Sequence, residues 1–296
     1  MRTRQTSPAK RRMVNRNGSF NVLRKGVSNS RWRDPYHLLL TLAWYKTLAL
    51  IALGYILANT LFALAYLAGG DGIENARPGH FFDAFFFSVQ TMASIGYGAM
   101  YPKTFYTNFL VTIEALLGLI GLAMATGLMF ARFSLPKARV MFSNVAAIAP
   151  YNEVPTLMFR VANERQNWIL EAQVRVSLAR SEMSKEGEQM RRFYDMGLVR
   201  SQSPLFALTW TVMHPIDENS PLYGVTSEAM VEDEMEVVVT LTGLDETVSQ
   251  TIHARHSYIA EEILWNVRFV DILSRTRDGK RTIDYSCFHD VMPLEN

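Results

Sequence analysis

Hydrophobic and polar positions divide this chain near residue 133. Before that point long apolar runs are separated by short polar ones; after it, the runs are short and partly alternating. From Leu38 to Leu67 the only formal charge is Lys46. That run exceeds the roughly 20 residues needed to cross a hydrocarbon core and predicts an outer membrane helix over 44–68. Just before it, Trp32 to Thr41 mixes Trp32, Tyr36 and Leu38 to Leu40 with Arg33, Asp34 and His37. This is the composition of a helix lying in the headgroup layer and joined to the span through a bend. A second span is expected over 106–133, with Glu114 as its one acid. Between the two, residues 82–93 are strongly apolar but about half as long as a crossing requires, which predicts a re-entrant helix. Irregular backbone at that depth is tolerated only where protein buries it or a watery cavity lies beside it, and a pore provides both.

Beyond Pro136 the pattern becomes that of strands. Thr156 to Val161, Ala172 to Leu178 and Glu236 to Leu241 combine partial alternation with β-branched residues, and turn signals stand at Glu186-Gly187, Asn219-Ser220-Pro221 and Asp278-Gly279. The expectation is an all-β, immunoglobulin-like sandwich in the cytoplasm. The domain plan is therefore a flexible basic arm over 1–31, a membrane α-helical pore domain over 32–136, and a cytoplasmic β-sandwich regulatory domain over 137–296.

Charge sharpens the topology. The net charge is only +2, yet ten basic residues (among them Arg2, Lys10, Arg12, Arg24, Arg31 and Arg33) precede the first acid, Asp34. Arg132, Lys137 and Arg139 follow the second span. Basic residues outside the far ends of both spans place both termini in the cytoplasm. The apolar run is too long and begins too late for a secretory signal. A basic tail without a folded reader does not make a nucleic-acid binder, so none is expected as partner. The single cysteine, Cys287, excludes an internal disulfide framework.

The stretch that carries chemistry is Ser94-Ile95-Gly96-Tyr97-Gly98, directly after the re-entrant helix. Passing a dehydrated potassium ion requires that its water be replaced by rings of oxygens, and backbone carbonyls from four identical loops can supply them. Gly96 and Gly98 provide the φ values that turning successive carbonyls inward demands. Tyr97 can pack outward and Ser94 can add a hydroxyl oxygen. One chain offers one filter strand, so a homotetramer follows. Potassium would be held by filter carbonyls alone, as permeant ion; no cofactor and no other metal is expected.

On these residues the chain resembles potassium channels, whose filter reads Thr-Val/Ile-Gly-Tyr-Gly. Leu157 to Arg165, Glu171 to Arg175, His214 to Leu222, Ala254 to Tyr258 and Glu262 to Trp265 are similar to the cytoplasmic strands and loops of inward rectifiers, and the short outer loop resembles their bacterial branch. The resemblance implies a passive potassium-selective channel in the bacterial inner membrane. It also implies a flexible glycine at Gly118 and a gate of bulky side chains at Phe130. Leu122 stands where strong rectifiers place a polyamine-binding acid. Ser94 stands for the usual threonine, Ala99 for an acid, and Gln90 for the filter-bracing glutamate of eukaryotic relatives. Because the relatives bind phosphoinositides at the cytoplasmic interface, Arg31, Trp32, Arg33, Arg132, Lys137 and Arg139 are expected to meet that or another anionic lipid. Leu135 and Ala138 replace two lysines of the eukaryotic activating site, which favours inhibition.

Other readings remain in view. Ser94 and Ala99 motivate a second hypothesis, a weakly selective cation channel, and a membrane-tethered adaptor would need neither Gly96 nor Gly98. An enzyme is not expected: Asp217, Glu218 and His214 are neighbours in sequence, but no nucleophile, metal or phosphate-loop constellation accompanies them. Glu114 is either a functional intramembrane acid or a hydrogen-bond partner of the re-entrant helix.

Overall fold

The computed structural model describes residues 12–15, 18–22, 26, 34–275 and 278–294. It divides into two compact units, one formed by 26–135 and the other by 1–25 with 136–296.

The first unit is helical. Helix α1 (Pro35–Thr41) starts at Asp34, whose side chain accepts from the His37 N–H, with Pro35 suited to the first turn because it has no N–H to satisfy. Helix α2 is Trp44–Ala68, followed by a two-residue strand β1 (Ile73–Glu74). Helix α3 is Phe81–Met92, and β2 (Tyr101–Pro102) pairs with β1 before helix α4, Phe105–Phe133. Among the described residues, α2 and α4 are the two helices long and apolar enough to cross a membrane. Their leucines and phenylalanines are mostly exposed, as in a lipid solvent, while α2 buries Thr47, Asn59, Ala63 and Tyr66. Helix α3 spans only 12 residues and packs between them.

The second unit is a β-sandwich. Its strands are β3 (Val140–Phe142), β4 (Ala146–Tyr151), β5 (Val154–Asn163), β6 (Ile169–Met183), β7 (Gln189–Asp195), β8 (Gln202–Phe206) and β9 (Thr209–Pro215). After a short helix α5 (Ser227–Glu232) come β10 (Glu236–Asp245), β11 (Gln250–Ile259) and β12 (Ile263–Trp265). One sheet runs β11-β10-β6-β7 with β8 also on β6; the other runs β12-β4-β5-β3 with β9 also on β5. All pairs are antiparallel except β12 with β4. Alternate residues such as Val174, Val176 and Leu178 of β6 meet Leu157, Phe159 and Val161 of β5 in one core.

The described part of the N-terminal segment contacts the sandwich through residues 12–15. Val14 is fully buried, and its N–H and that of Met13 donate to the Glu236 carboxylate at 3.0 and 2.8 Å. The Ser257 hydroxyl donates to the Val14 carbonyl at 2.6 Å, and Arg12 pairs with Glu262. A buried carboxylate that needs donors and a chain with unpaired amides satisfy one another, which composition alone does not reveal.

Candidate functional site

The geometry begins at the entrance to α3. Arg77 donates from its backbone and guanidinium to Asp83 at 2.8–3.0 Å, and the His80 side chain accepts from the Asp83 N–H. These contacts fix the first turn of α3, whose other end delivers the chain to Ser94. There the Ser94 N–H donates to the Thr91 carbonyl at 3.0 Å and the Ile95 N–H to the Gln90 carbonyl at 2.8 Å, closing the helix end. The partial negative end of the helix dipole thus lies directly behind Ser94.

From Ser94 the backbone alternates. Ser94, Gly96 and Gly98 have φ of +55°, +59° and +79°, whereas Ile95 and Tyr97 keep negative values. Alternation of hand turns successive carbonyls toward one side, unlike a strand, where they point to opposite sides. Among the described residues no carbonyl from Ser94 to Gly98 accepts a hydrogen bond within the chain. The glycines at 96 and 98 fit this directly. The left-handed serine was not anticipated; a hydroxyl residue in that region is uncommon, and only its place in the alternation signals it. The Asn75 side chain donates to the Ala99 carbonyl at 2.8 Å, holding the outer end.

Behind α3 lies a buried polar cluster. Glu114 of α4 is fully buried, accepts from the Tyr66 hydroxyl at 2.5 Å and makes a close hydrogen-bonding contact with the Ser88 hydroxyl of α3. Ser88 also meets Asn59 Oδ1 at 2.9 Å, and the Asn59 amide donates to the Tyr55 carbonyl at 2.7 Å. Glu114 thus meets the half-length helix through Ser88. Nearby, Gly118 of α4 lies against the Met92 main chain.

The remaining sequence-predicted residues are dispersed. Leu122 and Phe130 are exposed on α4. Lys137 and Arg139 are exposed in the second unit, where Arg139 lies 3.9 Å from Glu164. Arg31, Trp32 and Arg33 lie outside the described residues. Arg132 is not a free cation: its guanidinium donates to the Leu39 and Leu42 carbonyls and to the Thr47 hydroxyl, and it sits 4.7 Å over the Trp44 ring. It joins the α1–α2 junction to the end of α4 through three protein oxygens and an aromatic face.

His214, once a neighbour of Asp217 and Glu218 in sequence only, is buried. Its Nδ1 donates to the Gly197 carbonyl at 2.6 Å and Nε2 faces the Ser220 hydroxyl at 2.7 Å. Burial pushes its pKa down, partly offset by the Gly197 bond and the Asp217 charge. Among the described residues no group of His, Cys, Asp and Glu is arranged to hold a metal ion.

Known proteins supply the remaining context. A family model described as "Ion channel" matches residues 47–134, and one described as "Inward rectifier potassium channel C-terminal domain" matches 140–296. The chain is 50% identical to inward rectifier potassium channel Kirbac3.1 of Paramagnetospirillum magnetotacticum, over 96% of this chain and 97% of that protein. It is 31% identical to ATP-sensitive inward rectifier potassium channel 12 of Gallus gallus, over 94% and 71%. It is 30% identical to inward rectifier potassium channel 18 of Homo sapiens, over 94% and 70%. A two-span helical unit with a re-entrant helix, a β-sandwich, and relatives of this likeness across nearly the whole chain lead to one conclusion: this chain belongs to the inward-rectifier potassium channel family, whose members are passive membrane channels and not enzymes.

Proposed function

We propose that four copies of this chain assemble around one axis and conduct potassium through rings formed by the backbone carbonyls of Ser94, Ile95, Gly96, Tyr97 and Gly98. The observation that carries this reading is the alternation of left-handed φ at Ser94, Gly96 and Gly98 immediately beyond a half-length helix. Phe130, 73% exposed near the cytoplasmic end of α4, is the side chain that narrows the inner mouth, where a hydrophobic ring stops ions by dewetting. Gly118 lets α4 approach α3, and Leu122 leaves the cavity without an acid, so polyamine block there is weak. The protein works in the bacterial inner membrane with both termini in the cytoplasm.

Anionic lipid, phosphoinositide among it, modulates the channel from the cytoplasmic side. In the sandwich unit Lys137, Arg139, His253 and Arg255 line one hollow with Glu164 as its acid, an arrangement that attracts phosphate. Inhibition is the expected sign.

The test is cation uptake into liposomes holding the purified protein, comparing rubidium, potassium and sodium with barium as blocker. Barium-sensitive uptake favouring rubidium and potassium, lost in Gly96→Ala, is the expected result. Equal sodium uptake would replace this reading with a weakly selective channel. Uptake unchanged in Gly96→Ala would remove the filter from this stretch.

A further inference from the structure

The cluster behind α3 contains more contacts than its hydroxyls have protons. Three close contacts join Tyr66 to Glu114 Oε2, Ser88 to Glu114 Oε1, and Ser88 to Asn59 Oδ1. The orientation of Asn59 is set by its amide nitrogen, which donates to the Tyr55 carbonyl at 2.7 Å and faces Met92 Sδ at 3.4 Å. Its Oδ1 therefore faces Ser88 and only accepts. Ser88 and Tyr66 carry one proton each, and three contacts require three.

We infer that Glu114 is a neutral carboxylic acid whose own proton completes a hydrogen-bonded strut, making it a positioning residue for the pore helix and the filter that follows. Tyr66 donates to Oε2, the carboxyl O–H at Oε1 donates to Ser88, and Ser88 donates to Asn59. With an ionised Glu114, Ser88 could serve only one of its two acceptors. A bare acceptor pair would remain 2.9 Å apart in a site without water-exposed surface. Among the described residues no basic side chain pairs with Glu114, so an ionised form would also lack compensation for burial.

The strut starts and ends on the outer helix, at Tyr66 and Asn59, and grips α3 in its middle at Ser88. Its second hold is Asn59 against Met92, two residues before Ser94. Since Gln90 offers no carboxylate to brace the filter from α3 itself, the brace comes from α4 instead. In this role the acid neither attracts nor binds cations.

The inference deepens the filter reading, and rests on it for the flux readout alone. The test compares full-length wild type with Glu114→Gln, Glu114→Leu and Ser88→Ala in liposomes. At neutral pH, infrared spectra of wild type are expected to show the carbonyl stretch of a protonated acid, absent from Glu114→Gln. Glutamine offers an N–H to Ser88 and a carbonyl to Tyr66, so its rubidium-to-sodium uptake ratio should stay within about twofold of wild type. Leucine, or Ser88→Ala if the leucine variant does not assemble, should lower that ratio about tenfold, the equivalent of one lost buried hydrogen bond. A wild-type spectrum lacking that band, or a glutamine variant as damaged as the leucine one, would overturn the neutral strut. Wild type that does not discriminate rubidium from sodium would defeat the filter reading, while the infrared band would still decide the state of Glu114.

Discussion

Gly118 of the inner helix lies against the main-chain carbonyl of Met92, the last residue of the pore helix, with no space for a β-carbon between them. A methyl at 118 would overlap that carbonyl and stand 3.1 Å from the Met92 Cγ. This contact accounts for glycine without calling on helix bending. Gly118→Ala should cost about 1–3 kcal/mol through overpacking and shift the pore helix. The checks are a lowered thermal midpoint and a reduced rubidium-to-sodium uptake ratio; an unchanged ratio would return Gly118 to a purely hinge-like role.

Arg132 supplies a second prediction. Its guanidinium satisfies two carbonyls left unpaired at the α1–α2 bend and stacks on Trp44. A lysine cannot reach several oxygens in a plane and stack at once. Arg132→Lys and Arg132→Ala should both lower stability by roughly 1 kcal/mol, the cost of half-buried acceptors without donors. Thermal unfolding in detergent would read this. A variant as stable as wild type would leave Arg132 available to lipid.

The pH dependence of the sandwich should include His214. Burial lowers its folded pKa, so the unfolded chain takes up the proton first. Its contribution is therefore intact above the unfolded value of about 6.5 and is lost as pH falls below it toward the folded value. Protonation would also put a hydrogen on Nε2, which now accepts from Ser220. The stability of full-length protein, followed from pH 7.5 to 5, should fall less steeply in His214→Gln; equal slopes would count against this histidine.

The N-terminal segment depends on Glu236, whose fully buried carboxylate also lies 3.3 Å from Arg191. Replacing it by alanine leaves the Met13 and Val14 amides without acceptors, at about 1–3 kcal/mol. Amide hydrogen exchange at Met13 and Val14 should then accelerate about 10- to 100-fold, whereas β6 core amides should not change. Unaltered exchange would mean that the Ser257 and Arg12 contacts suffice.

The spans, the half-length helix and the glycine conformations at 96 and 98 were legible because membrane length and backbone sterics act over a few consecutive residues. The brace was not, since Glu114 meets Ser88 and Tyr66 from 26 and 48 positions away. One signal was present: Asn59, Ala63 and Tyr66 recur at helical spacing along a lipid-exposed run, marking the face of α2 that turns inward. The three oxygens that Arg132 meets were not legible either, because Leu39, Leu42 and Thr47 lie 85 to 93 positions away. The tethered N-terminus escaped notice for a related reason, its acceptor being a glutamate more than 200 positions away.

The left-handed backbone at Ser94 has a consequence for the order of events. Holding a non-glycine residue there costs roughly 1–2 kcal/mol, and the bonds that hold it, from Ser94 to Thr91 and from Ile95 to Gln90, are made within a single chain. The expense is thus offset, at least in part, by contacts within the chain itself. In the proposed tetramer, oxygens set by this turn would need no rearrangement when an ion reaches them, so selectivity would rest on preorganisation within each subunit.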